Sequence, residues 1–320
     1  MNYVELTARS AAEIILNSKD PVVVMHKNPD ADAVGTATAL ILVLRELGKN
    51  AAYACTDSIP KRLEFIIKDL PSAEDFKNRT VITADIASPK QMGDLEYQLG
   101  EISLMIDHHE VGEPFAPNYI KKGASSSAEV LYGIIEVLEE MGKLSLTKEI
   151  AEALYAAISS DTGSFKYSSV TPSTLRIAAR LLEFGIDHAD IAHRLFSQKT
   201  RSQMLAEAYV ASNIKTLLDG RIAYVTHSPE VRAEIGCTED DFECAIDVVR
   251  ELEGVRVALV ARKTDRGGIR ASLRSVGENV AEVAKMFGGG GHVCAAGCSP
   301  DAKDERAAAE MIISELVKLF

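Results

Sequence analysis

The apolar positions of this chain fall into two textures. Up to about residue 185, short apolar runs rich in β-branched residues alternate with longer stretches at helical spacing. That alternation is the signature of a parallel α/β sheet. The runs predict strands at 21–26, 51–55, 80–85 and 102–106, and the helical spacing predicts helices over 33–47, 127–141, 147–160 and 172–184. Within 127–141, Ala128, Leu131, Ile134, Ile135 and Leu138 form a core-facing stripe. Thr171-Pro172 opens the last of these helices with a capping hydroxyl and a proline at the first position.

After Gly185 the pattern changes to a polar helical run holding His188, His193, Arg194 and Lys199, which predicts a connecting helix or hinge. Strands follow at 213–219 and 222–227, joined by the hairpin signal Asp219-Gly220. Further strands at 255–262 and 268–275 flank Thr264-Asp265-Arg266-Gly267. A helix at 279–286, a glycine run from Gly288 to Gly291 and a helix at 303–319 complete the chain. The fold class expected is α/β: an N-terminal parallel-sheet domain over 1–185, a linker helix over 186–210, and a smaller C-terminal α+β substrate-binding domain over 211–320 across a cleft. The second sheet is expected to be mixed or antiparallel.

Composition narrows the class. At 320 residues with 47% hydrophobic and 26% charged positions, the chain is globular and long enough for two domains. Its longest nearly apolar run, Ala33 to Leu44, is too short for a bilayer and contains Gly35, Thr36 and Thr38. The first residues lack the basic and apolar regions of a signal peptide. Five cysteines, Cys55, Cys237, Cys244, Cys294 and Cys298, are an odd number without a regular framework, so reduced thiols in a cytoplasmic protein are expected. The formal net charge of −12 argues against a stable complex with long nucleic acid, which needs a basic face. A small anionic substrate stays open, because bound cations reverse the field at a carboxylate cluster.

The candidate chemistry lies in four islands, each after an apolar stretch: His26-x-x-x-Asp30-x-Asp32, Asp85, Asp107-His108-His109, and Asp161. Open α/β sheets bind ligands at the carboxyl ends of their strands, so the islands should converge on one edge. Buried carboxylates in such number need compensation, and divalent metal is the simplest one. Carboxylate mixed with imidazole suits Mn²⁺, Co²⁺, Mg²⁺ or Fe²⁺. Asp30 and Asp32 can address two separate ions, His26 caps one of them, and Asp85 is suited to bridge. Two ions clamp the attacking and leaving oxygens of an in-line displacement, which points to a phosphate ester as the target. Taken singly, each residue has a bland reading: Asp as helix cap, His26 as packed strand end, Asp161 as turn former. The four together favour the metal site.

In the second half, Arg262, Lys263, Arg266, Arg270 and Arg274 crowd two adjacent strands of an otherwise acidic chain. Arg270, Ser272 and Arg274 share one strand face by the two-residue period. Two arginines and a hydroxyl suit a phosphate. The glycine run with His292 can expose successive N–H groups as an anion nest. Against this stands a solvated β-ribbon and a flexible turn. Ser125-Ser126-Ser127 is expected to cap the following helix, and His188, His193 and His227 to be structural or exposed.

The segment from His26 to Gly35, Asp85, Asp107-His108-His109 and Ser160-Asp161-Thr162-Gly163 resemble the four motifs of the DHH phosphoesterase family. Gly288 to His292, running on to Ala295-Ala296-Gly297, resembles the glycine–histidine motif of its associated C-terminal domain. The likeness spans both halves and is closest to the nano-RNase (oligoribonuclease)/pAp-phosphatase branch. One departure is Thr36, where the family usually has serine; the hydroxyl is kept.

The resemblance implies that His26, Asp30 and Asp85 hold one metal, and Asp32, Asp85, His108 and Asp161 the other. It implies that Asp107 orients His108 and that His109 faces the scissile phosphate, and it gives substrate contacts at Arg270, Ser272, Arg274, Gly290, Gly291 and His292. The activity expected is hydrolysis of very short oligonucleotides to 5′-mononucleotides, with removal of the 3′-phosphate of pAp, using two divalent ions, foremost Mn²⁺. Cyclic-dinucleotide hydrolysis is the alternative within the enzyme class, and a nucleotide-sensing binding module the alternative outside it. The partners expected are short RNA or DNA or small nucleotides, with no membrane, and a homodimer as the assembly to be tested.

Overall fold

The computed structural model describes residues 3–109, 112 and 114–320. Packing divides the chain into two units, Met1–Gln198 and Lys199–Phe320, a division that falls inside the segment read from the sequence as a linker.

The first unit runs α1 (Ala8–Asn17), β1 (Val22–Val24), α2 (Ala31–Glu46), β2 (Ala52–Ala54), α3 (Glu64–Ile67), β3 (Val81–Ala84), β4 (Ile102–Asp107), β5 (Asn118–Ile120), α4 (Ser127–Glu140), α5 (Lys148–Asp161), α6 (Pro172–Leu182) and α7 (His188–Ala192). Its five strands form one parallel sheet in the order β2-β1-β3-β4-β5. The strands are short and apolar because they are covered on both faces. Val23, Ile82, Leu104 and Ile106 join one core with α2, α4 and α5, while Val22, Val24 and Val81 join another with Met92 and Leu95. The strand order reverses between β1 and β3, and in open α/β sheets that switch point, at the carboxyl edge, is where ligands bind.

Helix α2 is buried on nearly every side and packs along α5. Gly35 permits that approach: a Cβ there would lie 2.7 Å from the Ala153 carbonyl oxygen and 2.7 Å from the Ala157 Cβ. Since Asp32 sits on α2 and Asp161 ends α5, the same contact sets the spacing of two candidate ligands. No described helix is long and apolar enough to cross a membrane.

The second unit runs α8 (Arg201–Asn213), β6 (Lys215–Leu217), β7 (Ile222–His227), α9 (Pro229–Glu234), α10 (Ala245–Arg250), β8 (Val257–Lys263), β9 (Ile269–Ser275), α11 (Val280–Met286), β10 (Gly290–His292), β11 (Ala295–Cys298) and α12 (Glu305–Leu316). The sheet order is β10-β11-β9-β8-β7-β6. Only β7 and β8 pair in parallel, with α9 and α10 in the crossover, so the sheet is mixed. Half of the glycine run, read from the sequence as a loop with N–H groups on offer, is instead a strand. Gly290–His292 pairs with β11 and commits part of its backbone to the ladder. The glycines serve close approach there: a Cβ on Gly289 would collide with the Gly297 carbonyl oxygen, and one on Gly291 with that of Ala295.

The α2–α5 contact predicts the outcome of Gly35→Ala. Overpacking against backbone costs about 1–3 kcal/mol, so a lowered thermal midpoint is expected in calorimetry. An unchanged midpoint would show that the two helices can part without penalty.

Candidate metal centre

The four islands converge on the carboxyl edge of the first sheet. His26 follows β1, Asp30 caps α2 by accepting from the Ala33 N–H at 3.0 Å, and Asp32 lies in that helix's first turn. Asp85 follows β3, Asp107 ends β4, and Asp161 ends α5. Three groups place one donor atom per residue within 4.8 Å of one another: His26, Asp30 and Asp85; Asp32, His108 and Asp161; and Asp85, His108 and His109.

The separations within the cluster suit ligands around shared cations. His26 Nε2 lies 3.8 Å from Asp30 Oδ1 and 3.5 Å from Asp85 Oδ2. His108 Nε2 lies 3.3 Å from Asp161 Oδ2, 3.7 Å from Asp85 Oδ1 and 3.9 Å from Asp32 Oδ2. Asp85 therefore turns one oxygen to each histidine. Both imidazoles are aimed from behind, since His26 Nδ1 meets the Lys27 carbonyl at 2.8 Å and His108 Nδ1 the Ala124 carbonyl at 3.2 Å. A carbonyl on Nδ1 fixes the tautomer that leaves Nε2 as a ligand atom. The donor set fits divalent cations that prefer oxygen and imidazole.

Electrostatics point the same way. Desolvation, reinforced by the charges of Asp85 and Asp30, pushes Asp161 up to about 8. Burial pushes Asp32 well above the carboxylate range, with Asp85, Asp161 and Asp30 adding to it. Burial alone would lower His26, but hydrogen bonding and charge from Asp30 and Asp85 carry it up to about 11. Like charges this close cannot all ionise without a counter-charge.

Several supports were not legible in the motifs. Asp85 has a φ of +61°, a strained conformation for a residue with a side chain, and its N–H is tied to the Ile106 carbonyl at 3.0 Å. The Ser127 hydroxyl donates to Asp85 Oδ1 at 2.9 Å. Asp32 accepts from the Ser127 N–H at 2.7 Å, the Ala128 N–H at 3.2 Å and the Thr36 hydroxyl at 3.0 Å. The start of α4 thus points its N–H groups at a carboxylate, as helix N-termini do for anions. Of the three serines, Ser126 is the cap, accepting from the Glu129 N–H at 3.1 Å. Buried Glu129 then holds the turn, taking the Ser125 N–H at 3.1 Å, the Ser125 hydroxyl at 2.6 Å and the Thr174 hydroxyl at 2.9 Å.

One expectation needs correction. Asp107 does not orient His108; its Oδ1 lies 2.7 Å from His109 Nδ1. The extended chain turns residues two apart to the same side, so Asp107 meets His109 and leaves His108 to the Ala124 carbonyl. That hydrogen bond outweighs burial and raises His109 to about 9.

In the second unit, pairing registers place the candidate contacts. Arg270 lies opposite Arg262, Ser272 opposite Val260 and Gly297, and Arg274 opposite Ala258 and Ala295. Gly290 continues the Ser272 row, and His292 the Arg274 row. Paired residues share a face, so Arg270, Ser272, Arg274, Gly290 and His292 lie on one side of the sheet, whereas Gly291 falls on the other. Arg262 joins this side, 3.2 Å from Glu239 Oε1 and 3.5 Å from the Ser272 hydroxyl. His227 is buried, stacked on Phe242 and bonded to Arg232 at 3.0 Å, a structural role as expected.

A parallel sheet with this cluster at its switch point, followed by a mixed-sheet unit, defines a metal-dependent phosphoesterase. The chain belongs to the DHH phosphoesterase family: residues 21–158 match the model of the DHH family N-terminal domain, and residues 221–318 match that of the DHHA1 domain. It is 28% identical over 313 residues to the bifunctional oligoribonuclease and PAP phosphatase NrnA of Thermus thermophilus, covering 95% of this chain and 92% of that protein. With the protein of the same name from Bacillus subtilis it shares 27% identity over 296 residues, 92% of each chain. Its fold matches the crystal structure of an exopolyphosphatase-related protein from Bacteroides fragilis, with a TM-score of 0.87 at 24% identity, covering 98% of this chain and 97% of the other.

Ligation needs deprotonated side chains, whereas the metal-free pocket holds protons near neutral pH on Asp161 and His26. Metal binding should therefore release protons and tighten as pH rises through about 8, where Asp161 ionises, and on toward about 11, where His26 does. Calorimetry in buffers of different ionisation enthalpy reads this directly; heats independent of the buffer would contradict it. Ser127→Ala should weaken metal binding about tenfold by freeing Asp85 to turn, and an unchanged dissociation constant would remove Ser127 from this role.

Proposed function

We propose that this enzyme hydrolyses very short oligonucleotides to 5′-mononucleotides and removes the 3′-phosphate of pAp, using two divalent ions, foremost Mn²⁺. The observation that carries the reading is Asp85, which turns Oδ2 toward His26 and Oδ1 toward His108 at the junction of two ligand clusters. In this reading His26, Asp30 and Asp85 hold one ion, and Asp32, Asp85, His108 and Asp161 the other. Bound ions supply charge that acidifies an attacking water and offsets charge on the phosphate.

The chain's own groups divide the remaining work. His109, kept protonated by Asp107, is a hydrogen-bond donor and proton source for a phosphate oxygen or the leaving group. Arg270, Ser272, Arg274 and His292 grip a substrate phosphate, with Gly290 leaving the outer end of the Ser272 row without a side chain. Gly291 belongs to this set through its backbone. Small nucleotides and short RNA or DNA are the substrates, and the five free thiols fit a reducing cytoplasm. Both curated relatives described above carry the two activities in their names, which supports the pairing of nuclease and phosphatase here.

The test is Mn²⁺-dependent hydrolysis of a panel: a 5′-phosphorylated dinucleotide, a several-fold longer RNA, pAp and cyclic di-AMP. Fast release of mononucleotide from the dinucleotide and phosphate from pAp is expected, with slow attack on the longer RNA. A preference for the cyclic compound would assign the enzyme to signalling nucleotides, and metal binding without turnover would leave a nucleotide-binding module. Asp85→Ala should abolish turnover by uncoupling both clusters; substantial activity in that variant would refute the bridging role.

A further inference from the structure

Immediately after Asp161 the backbone does something that ending a helix does not require. Gly163, Ser164 and Phe165 all have positive φ, at +55°, +60° and +62°. One left-handed glycine suffices to terminate a helix; two further residues with side chains, one of them bulky, are backbone outliers. The turn is over-determined by hydrogen bonds. Thr162 Oγ1 accepts from the Phe165 N–H at 3.0 Å, and its carbonyl accepts from the N–H groups of Lys166 at 2.9 Å and Tyr167 at 3.0 Å. The Ser164 N–H donates to the Ser159 carbonyl at 2.7 Å. Strain held in place this way concentrates at functional sites.

The turn sorts two aromatic rings. Phe165 goes inward, packing on Tyr155 with ring centroids 5.7 Å apart. Tyr167 goes outward, 44% exposed, with the phenol end of its ring lying over Gly163, where any Cβ would overlap ring atoms. Gly163 is thus required both by its φ and by the ring above it. The result is an aromatic ring seated two residues from a carboxylate of the metal cluster, with exposed Lys166 beside it.

We infer that Tyr167 is a stacking platform for a nucleobase of the nucleotide flanking the scissile phosphate, which is a specificity-determining contact that rests on the oligonucleotide reading above. Stacking on a tyrosine is tolerant of base identity, since every base offers a π-face. The platform therefore favours nucleotides over base-free phosphate esters without selecting one base. The ring's seat over Gly163, two residues along the chain from Asp161, is what assigns it to the nucleotide next to the scissile phosphate.

The experiment compares wild type with Tyr167→Ala, Tyr167→Phe and Tyr167→Trp on a 5′-phosphorylated dinucleotide and its two analogues lacking one base or the other. Tyr167→Ala should raise KM for the full dinucleotide about tenfold, with Phe and Trp close to wild type. On one abasic analogue the variants should no longer differ, and that analogue identifies the stacked base. Mn²⁺ affinity of Tyr167→Ala should equal that of wild type. Equal KM changes on all three substrates, an unchanged KM on the full dinucleotide, a Phe variant as impaired as Ala, or lost Mn²⁺ affinity would each overturn the platform. Wild type that leaves the dinucleotide intact would sink the oligonucleotide reading and this inference together. Normal wild-type turnover with an unaffected Ala variant would remove the inference alone.

Discussion

Repulsion among carboxylates at one edge of a sheet is the constraint on which the first unit depends. Asp30, Asp32, Asp85 and Asp161 arrive from one strand end and two helices, and the protonation shifts of Asp32 and Asp161 show how strongly the pocket resists holding them all ionised. A fold that only needed stability would not assemble such a group, because unpaired buried charge is costly. The sheet makes the crowding unavoidable: β1 and β3 are neighbours at the switch point, so the residues that follow them must meet.

The surrounding structure contains that repulsion by direct restraint of each oxygen. Asp32 is met by two backbone N–H groups and a hydroxyl, and Asp85 by the Ser127 hydroxyl, so both Asp32 oxygens and Asp85 Oδ1 have a donor before any cation binds. Glu129 plays no part in the cluster, yet it locks the turn that brings Ser127 there, and Thr174 links that lock to the start of α6. Preorganisation of this kind lowers the cost of gathering ligands around an ion, in the way second-shell partners do at metal sites. The strained φ of Asp85 fits the same logic: the backbone conformation is held by its neighbours so that the carboxylate faces two ways.

How much of this was legible depended on the range of the signal. Strand 222–227 and the core of 127–141 were readable because period and burial are local properties, and β7 appears at the expected residues. The metal islands were readable because each follows its own apolar run. Strand β5 is three residues long, of which Asn118 is polar and buried, so no apolar run marked it. Helix α1 was also unmarked, although Thr7 caps it. Ser127 and Glu129 were unreadable as supports because their partners lie 42 and 45 residues away in sequence. The exchange of His108 for His109 as the partner of Asp107 turns on the direction of side chains at a strand end, which motif spacing does not encode. The glycine run was hard to read for a related reason: Gly289 and Gly291 are small to admit neighbouring backbone, and that reads in sequence like a flexible loop.

The second unit solves the converse problem within a chain of net charge −12. Arg262, Lys263, Arg266, Arg270 and Arg274 lie on the β8–β9 hairpin, and the arginine that anchors this hairpin is itself buried. Arg232 reaches the Lys263 carbonyl at 3.0 Å and Asp265 at 2.6 Å, so the turn carrying Arg266 and leading to Arg270 is tied down from beneath. Burial, with Arg232 and Arg262 nearby, drives His227 down to about 3, which keeps it neutral and able to accept from Arg232. Glu239 takes both Arg262 and the Asp265 N–H, restraining a cation on the sheet face without removing its charge from reach of Ser272. Local field, set by fixed partners, therefore overrides net charge in deciding what the face attracts. In both units the charged side chains are held by fixed hydrogen-bond partners: Asp32 and Asp85 by the start of α4, and Arg262 by Glu239.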